Sequence, residues 1–159
     1  MNAFPLVFSF RDLVAGNGYV AAVEASGRIL LEHDPDAGEW TLCGVNPGGI
    51  AGGAGEEKAA FVDFRTTFRG VLDDIAHEAA DIEAFEAAVA AFVGQTNASA
   101  EAEWAALREQ VRAGKLSLDL QRVDASAFVP QVIVRRVDGD HGEAPSPRLN
   151  PVETFNQAA

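Results

Sequence analysis

The feature that most constrains this chain is a change of period around one glycine-rich passage. Up to Val45 apolar residues come in short runs that alternate with polar ones; from Glu56 they recur every three or four residues. Between lies GVNPGGIAGG AGEEKAAFVDF, which places five glycines in the eight positions from Gly48 to Gly55. Period two builds strands and period 3.6 builds an amphipathic helix, so the passage has to carry a sheet into a helix. Glycines in that place serve either as a cradle for phosphate or as a backbone crossing.

The cradle fails on its chemistry. A phosphate loop needs a lysine and a hydroxyl residue after its second glycine, and although Gly48 and Gly53 have the spacing, Ala54-Gly55 stand where those groups belong. A dinucleotide fingerprint starting at Gly53-Ala54-Gly55 meets Lys58 where its third glycine should be, and Gly16, Gly18 and Ala21 match only inside a hairpin. Glu56 and Glu57 complement the helix dipole themselves and repel an anion. Pro47, Gly48, Gly49, Gly52, Gly53 and Gly55 therefore read as structural turn residues, with positive φ expected at Gly52 and Gly53.

Four strands are predicted ahead of the passage, at 6–14, 19–25, 28–34 and 40–45, in meander order. Asn17-Gly18 marks the first turn, Ser26-Gly27 a break and Asp34 to Gly38 another turn. Helices are predicted at about 56–80, 81–93 and 99–113, the first with a stripe of Phe61, Phe64, Phe68, Val71, Leu72, Ile75 and Ala79. Leu116, Leu118 and Leu120 alternate like a strand, and VPQVIVRRV at 129–137 reads as another. These two could extend the first sheet, form a second one or pair with another chain, which leaves a homo-oligomer open. The organisation expected is a core over 1–94, a helix and two strands over 95–137, and a disordered tail over 138–159, where prolines are frequent and apolar residues few. The fold class is α+β, an antiparallel meander packed by helices.

Composition narrows the function. The net charge is -12, with 15 acidic and 5 basic side chains in 1–94 against 9 and 7 in the remainder, so the core repels nucleic acid and favours a basic partner. Arg135-Arg136 and Lys115 are too few for a nucleic-acid patch, which argues against direct DNA binding. Nothing in MNAFPLVFSFRDLV resembles a signal peptide and no run approaches the roughly 20 apolar residues of a membrane span, so a soluble cytoplasmic protein is expected. Cys43 is the single cysteine, excluding an internal disulfide.

Candidate chemistry is sparse. His77-Glu78-Ala79-Ala80-Asp81 is one residue away from a zinc helix pattern, but its apolar stripe points the set to solvent and no third ligand is evident. His33 ends a strand, His141 lies in the tail, and Cys43 sits in an apolar strand where its thiol stays protonated. No serine occupies a nucleophile elbow. No catalytic residue, metal or cofactor is expected.

Gly16-Asn17-Gly18-Tyr19-Val20, then Gly27-Arg28-Ile29-Leu30, then Trp40 with GVNPGGIAGGAGEEKAAFVDFR, resemble the HicB-like antitoxins over about residues 6–93. That resemblance implies a β-β-β-α-β core like a truncated RNase H fold, without catalysis, that neutralises a small basic ribonuclease toxin. Many members carry a C-terminal DNA-binding module; 95–159 has no ribbon-helix-helix or helix-turn-helix pattern. The partner-binding residues expected on the acidic helix surface are Asp73, Asp74, His77, Glu78 and Asp81. The competing reading is a metal-dependent phosphodiesterase remnant using Asp12, Glu24 and Asp63, although these lack the RNase H order of carboxylates on the expected elements.

Overall fold

The computed structural model describes residues 1–137 and 152–159. The fold is α+β: a mixed sheet with helices on both faces. In chain order the elements are β1 (Asn2–Ala15), β2 (Val20–Asp34), β3 (Glu39–Asn46), β4 (Ala51–Ala54), α1 (Glu57–Glu78), α2 (Ile82–Gly94), α3 (Ala98–Arg112), β5 (Arg122–Val123), β6 (Gln131–Arg136) and β7 (Val152–Ala158). The sheet runs β4-β3-β2-β1-β7-β5, and β6 also pairs with β2. All pairs are antiparallel except β5 with β7.

The meander is present, but Ser26-Gly27 does not break it. β2 continues through both residues, with Gly27 opposite Phe8. A Cβ on Gly27 would collide with the Asn46 carbonyl oxygen, so this glycine permits close approach of β3 rather than a turn. Next to it the register shifts between Arg28 and Ile29, and the outer edge of β2 changes partner from β3 to β6.

Because side chains alternate along β1, Leu6, Phe8, Phe10 and Val14 face α1 and α2, while Val7 faces α3. α1 presents Ala60, Phe64, Phe68, Leu72 and Ala76 at four-residue steps, all buried. Phe8 meets Phe64 and Phe68 edge-on at centroid distances of 5.6 and 5.5 Å, the geometry that ring quadrupoles favour. Burying each such ring stabilises by about 1.5–3 kcal/mol. On the other face Trp104 of α3 packs with Val7, Leu30, Val45 and Ala158.

The hairpin tip holds the end of α1. Asn17 Nδ2 donates to the carbonyls of His77 and Ala79, both at 3.0 Å, and the Tyr19 hydroxyl donates to the Ala76 carbonyl at 3.3 Å. Ala76 and His77 lie in the last turn of α1, where carbonyls lack partners within the helix, and Ala79 is the residue that ends it.

Two expectations are corrected. The leucines at 116, 118 and 120 form no strand: Leu118 donates its amide to the Gln157 side chain, Leu118 and Leu120 pack on the first core, and β5 starts at Arg122. Val152–Ala158 is not a disordered tail but a strand between β1 and β5. The rest of that tail, 138–151 with His141, lies outside the described residues. Of the alternatives left open for 129–137, extension of the first sheet is the one observed: β6 pairs with β2, and β7 joins the same sheet beside β1. Among the described residues no helix is long and apolar enough to cross a membrane.

Candidate functional site

The glycine-rich passage contains a strand that its sequence conceals. Pro47, Gly48, Gly49 and Ile50 turn the chain from β3 into β4, closed by the Gly44 amide on the Ile50 carbonyl at 2.9 Å. Gly52 and Gly53 lie within β4, and Gly55 follows it before α1. Neither Gly52 nor Gly53 has positive φ, contrary to expectation; that conformation belongs to Gly49, at 91°. Gly52 is needed for another reason: a Cβ there would collide with the backbone of Phe64 in α1.

Two amides of this passage have acceptors outside the β3–β4 pair. Gly48 donates to the Gln95 carbonyl at 2.7 Å and Gly53 to Asp63 Oδ2 at 2.9 Å. At the start of α1 no side chain caps the helix, and Glu57 occupies the first turn. The passage has the geometry of a crossing, with β4 laid under α1.

The acidic residues singled out from the sequence are brought together at the corner where α1 ends and α2 begins. Asp73, Asp74, His77, Glu78 and Asp81 are all exposed. Two of them have structural duties. Asp73 pairs with Arg69 at 3.0 Å, and Asp81 caps α2, accepting the Ala84 amide at 2.8 Å. Asp81→Ala should therefore lower stability by about 1 kcal/mol in thermal denaturation, and Asp81→Asn should retain most of it, because either side chain can cap. Equal melting temperatures for wild type and Asp81→Ala would mean the cap contributes nothing. Glu83 and Glu86 of α2 extend the same exposed surface. From Gly70 to Gly94 the sequence has six carboxylates and no lysine or arginine; Asp73 is paired with Arg69, and the other five leave this corner with an excess of negative charge.

The carboxylates of the competing reading are not brought together. Arg11 pairs in register with Glu24 and Asp12 with Val23, which sets Asp12 and Glu24 on opposite faces of the sheet. Asp12 faces α1, at 2.5 Å from Arg69 Nη1 and 3.7 Å from Arg65 Nη2. Glu24 lies between Arg11 and Arg135, at 3.6 and 2.7 Å. Asp63 is engaged by the Gly53 amide. Among the described residues no group of three His, Cys, Asp or Glu side chains could hold a metal ion.

The remaining single residues have local partners. His33 stacks on Trp40 at 4.1 Å. Cys43 is half-buried with Sγ 3.9 Å from Glu32 Oε2; burial first, and then the Glu32 charge, push its thiol up, away from the reactive thiolate.

Sequence reasoning did not anticipate an uncovered half of the second sheet face. α3 covers one end of that face and leaves a trough of about 330 Å³ lined by Ser9, Arg11, Glu24, Ser26, Gln131 and Ile133. Its floor is the ion-pair chain Arg11–Glu24–Arg135. Only the position of α3 exposes it, and no local pattern encodes that. Comparison with known proteins finds no matching family model, curated protein or solved structure.

Proposed function

We propose that this chain is a protein-binding module of the antitoxin kind, resembling the HicB-like proteins, that neutralises a small basic ribonuclease by covering it with an acidic surface. The observation that carries this reading is the exposed α1–α2 corner, where Asp74, Glu78, Asp81, Glu83 and Glu86 are exposed and no lysine or arginine lies between Gly70 and Gly94. Such a surface raises the encounter rate with a cationic protein through long-range attraction, and apolar contacts then supply most of the affinity. Support also comes from the glycine-rich passage, where the Gly48 and Gly53 amides are engaged by the protein itself, and from the placement of Asp12 and Glu24 on opposite faces of the sheet.

The experiment is capture from native lysate followed by association kinetics at low and high salt. A small basic protein should bind stoichiometrically, lose ribonuclease activity in the complex, and associate more slowly as salt rises. Asp74→Lys, Glu78→Lys and Glu83→Lys combined should slow association by at least about tenfold while changing dissociation less, since charge mainly sets the on-rate. Asp73 and Asp81 are left intact because of their pair with Arg69 and their cap on α2. The reading fails if no stoichiometric basic partner is captured, or if association ignores both salt and the triple reversal.

A further inference from the structure

We infer that the outer edge of β6 pairs antiparallel with β6 of a second copy of this chain, in a register centred on Ile133. β6 uses one edge for β2, from Ala21–Arg136 to Ser26–Gln131, and among the described residues no strand pairs with its other edge. The Val137 amide donates to the Val20 carbonyl at 2.9 Å, so these two form a hydrogen-bonded pair of the antiparallel ladder. Such pairs recur every second residue, at Arg135, Ile133 and Gln131. The amides and carbonyls of Val132 and Val134 consequently point away from β2, along the outer edge.

Those four groups are symmetric about Ile133. Placing a second β6 antiparallel across them lets Val132 of each copy exchange both hydrogen bonds with Val134 of the other. Ile133 then meets its own copy in a non-hydrogen-bonded pair, where side chains come closest. Ile133 is 46 % exposed and Val129, just before the strand, 65 %, two of the few large apolar residues in contact with solvent. In this register Arg135 lies opposite Gln131 of the second copy rather than opposite another arginine, and its charge is already matched by Glu24 at 2.7 Å. Pro130 precedes the strand and has no amide hydrogen, which ends the ladder there and suits a partner as short as β6 itself.

A self-complementary contact of this kind is isologous and closes as a two-fold dimer. One strand edge buries little area, so the dimer belongs to the weak, concentration-dependent class. It also removes the exposed edge on which foreign strands would add.

Sedimentation velocity across a concentration series tests this on the full chain. The expected result is a reversible monomer–dimer equilibrium. Ile133→Lys, which sets two like charges opposite each other, should weaken the dimer by at least about tenfold without lowering the melting temperature, because this side chain is exposed. Ile133→Cys with Cys43→Ala should give an intermolecular disulfide under mild oxidation, whereas Glu86→Cys in the same background should not. A monomer at every concentration overturns the inference, as does a dimer that survives Ile133→Lys or one that yields no disulfide at position 133.

Discussion

Gly52→Val is expected to destabilise this protein by about 3 kcal/mol, the upper end of what overpacking a close-packed site costs. For a chain of this size that corresponds to a fall in melting temperature of roughly 6–12 °C. An added Cβ at Gly52 would collide with the Phe64 amide nitrogen and lie 2.6 Å from the Phe64 Cα. Backbone cannot swing aside as a flexible side chain can, so α1 would have to lift off β4, and Phe64 anchors α1 in the first core. Its neighbour is the control. At Gly53 the nearest atom to an added Cβ is the Trp40 carbonyl oxygen at 3.3 Å, so Gly53→Ala should cost no more than about 1 kcal/mol. Thermal unfolding of the two variants decides the matter, and equal losses at both sites would refute close approach as the reason for Gly52.

That prediction marks where the sequence was legible and where it was not. The helices could be read because Phe64, Phe68 and Leu72 recur at the spacing of one helical face, and the first turn because Asn17-Gly18 tolerates it. β4 was hidden because AGGA has no alternation to read; it is a strand through its pairing with Trp40 to Cys43. β7 was hidden for a related reason. Its inward residues include Gln157, fully buried yet polar, and a strand that buries glutamine does not look like one. The leucines at 116, 118 and 120 erred in the opposite direction, since alternation exists there but the Leu118 amide is met by the Gln157 side chain rather than a strand. As for the site, the exposure of Asp74, His77 and Glu78 followed from the apolar stripe they avoid. The pairing of Asp12 with Arg69, 57 residues away, depends on how α1 crosses the sheet, and the separation of Asp12 from Glu24 depends on the register of β1 against β2.

Trp104→Ala should be the most damaging single change outside the first core, costing about 3–5 kcal/mol. Trp104 is 2 % exposed and is the largest side chain between α3 and the second face of the sheet. Its indole Nε1 donates to the Leu6 carbonyl at 3.0 Å, tying α3 to β1. Two arginines flank the ring, with the guanidinium carbons of Arg28 and Arg108 at 5.3 and 5.8 Å from its centroid. Arg28 in turn donates to Asn46 Oδ1 and to Glu101 Oε1, both at 2.6 Å, so the indole, β2, the end of β3 and α3 are locked through one cation. Removing the ring takes away the packing surface and leaves a half-buried arginine without its aromatic neighbour. Trp104→Phe keeps most of the apolar contact and loses the hydrogen bond, so it should cost about 1 kcal/mol from that bond beyond the volume it forfeits. The ranking of the two variants in chemical denaturation separates packing from hydrogen bonding. Hydrogen exchange supplies the independent readout: because the same cluster contains Val7 of β1 and Ala158 of β7, protection should fall in β1 and β7 as well as in α3. A loss confined to α3 would show instead that this helix is an appendage on a sheet that is stable without it.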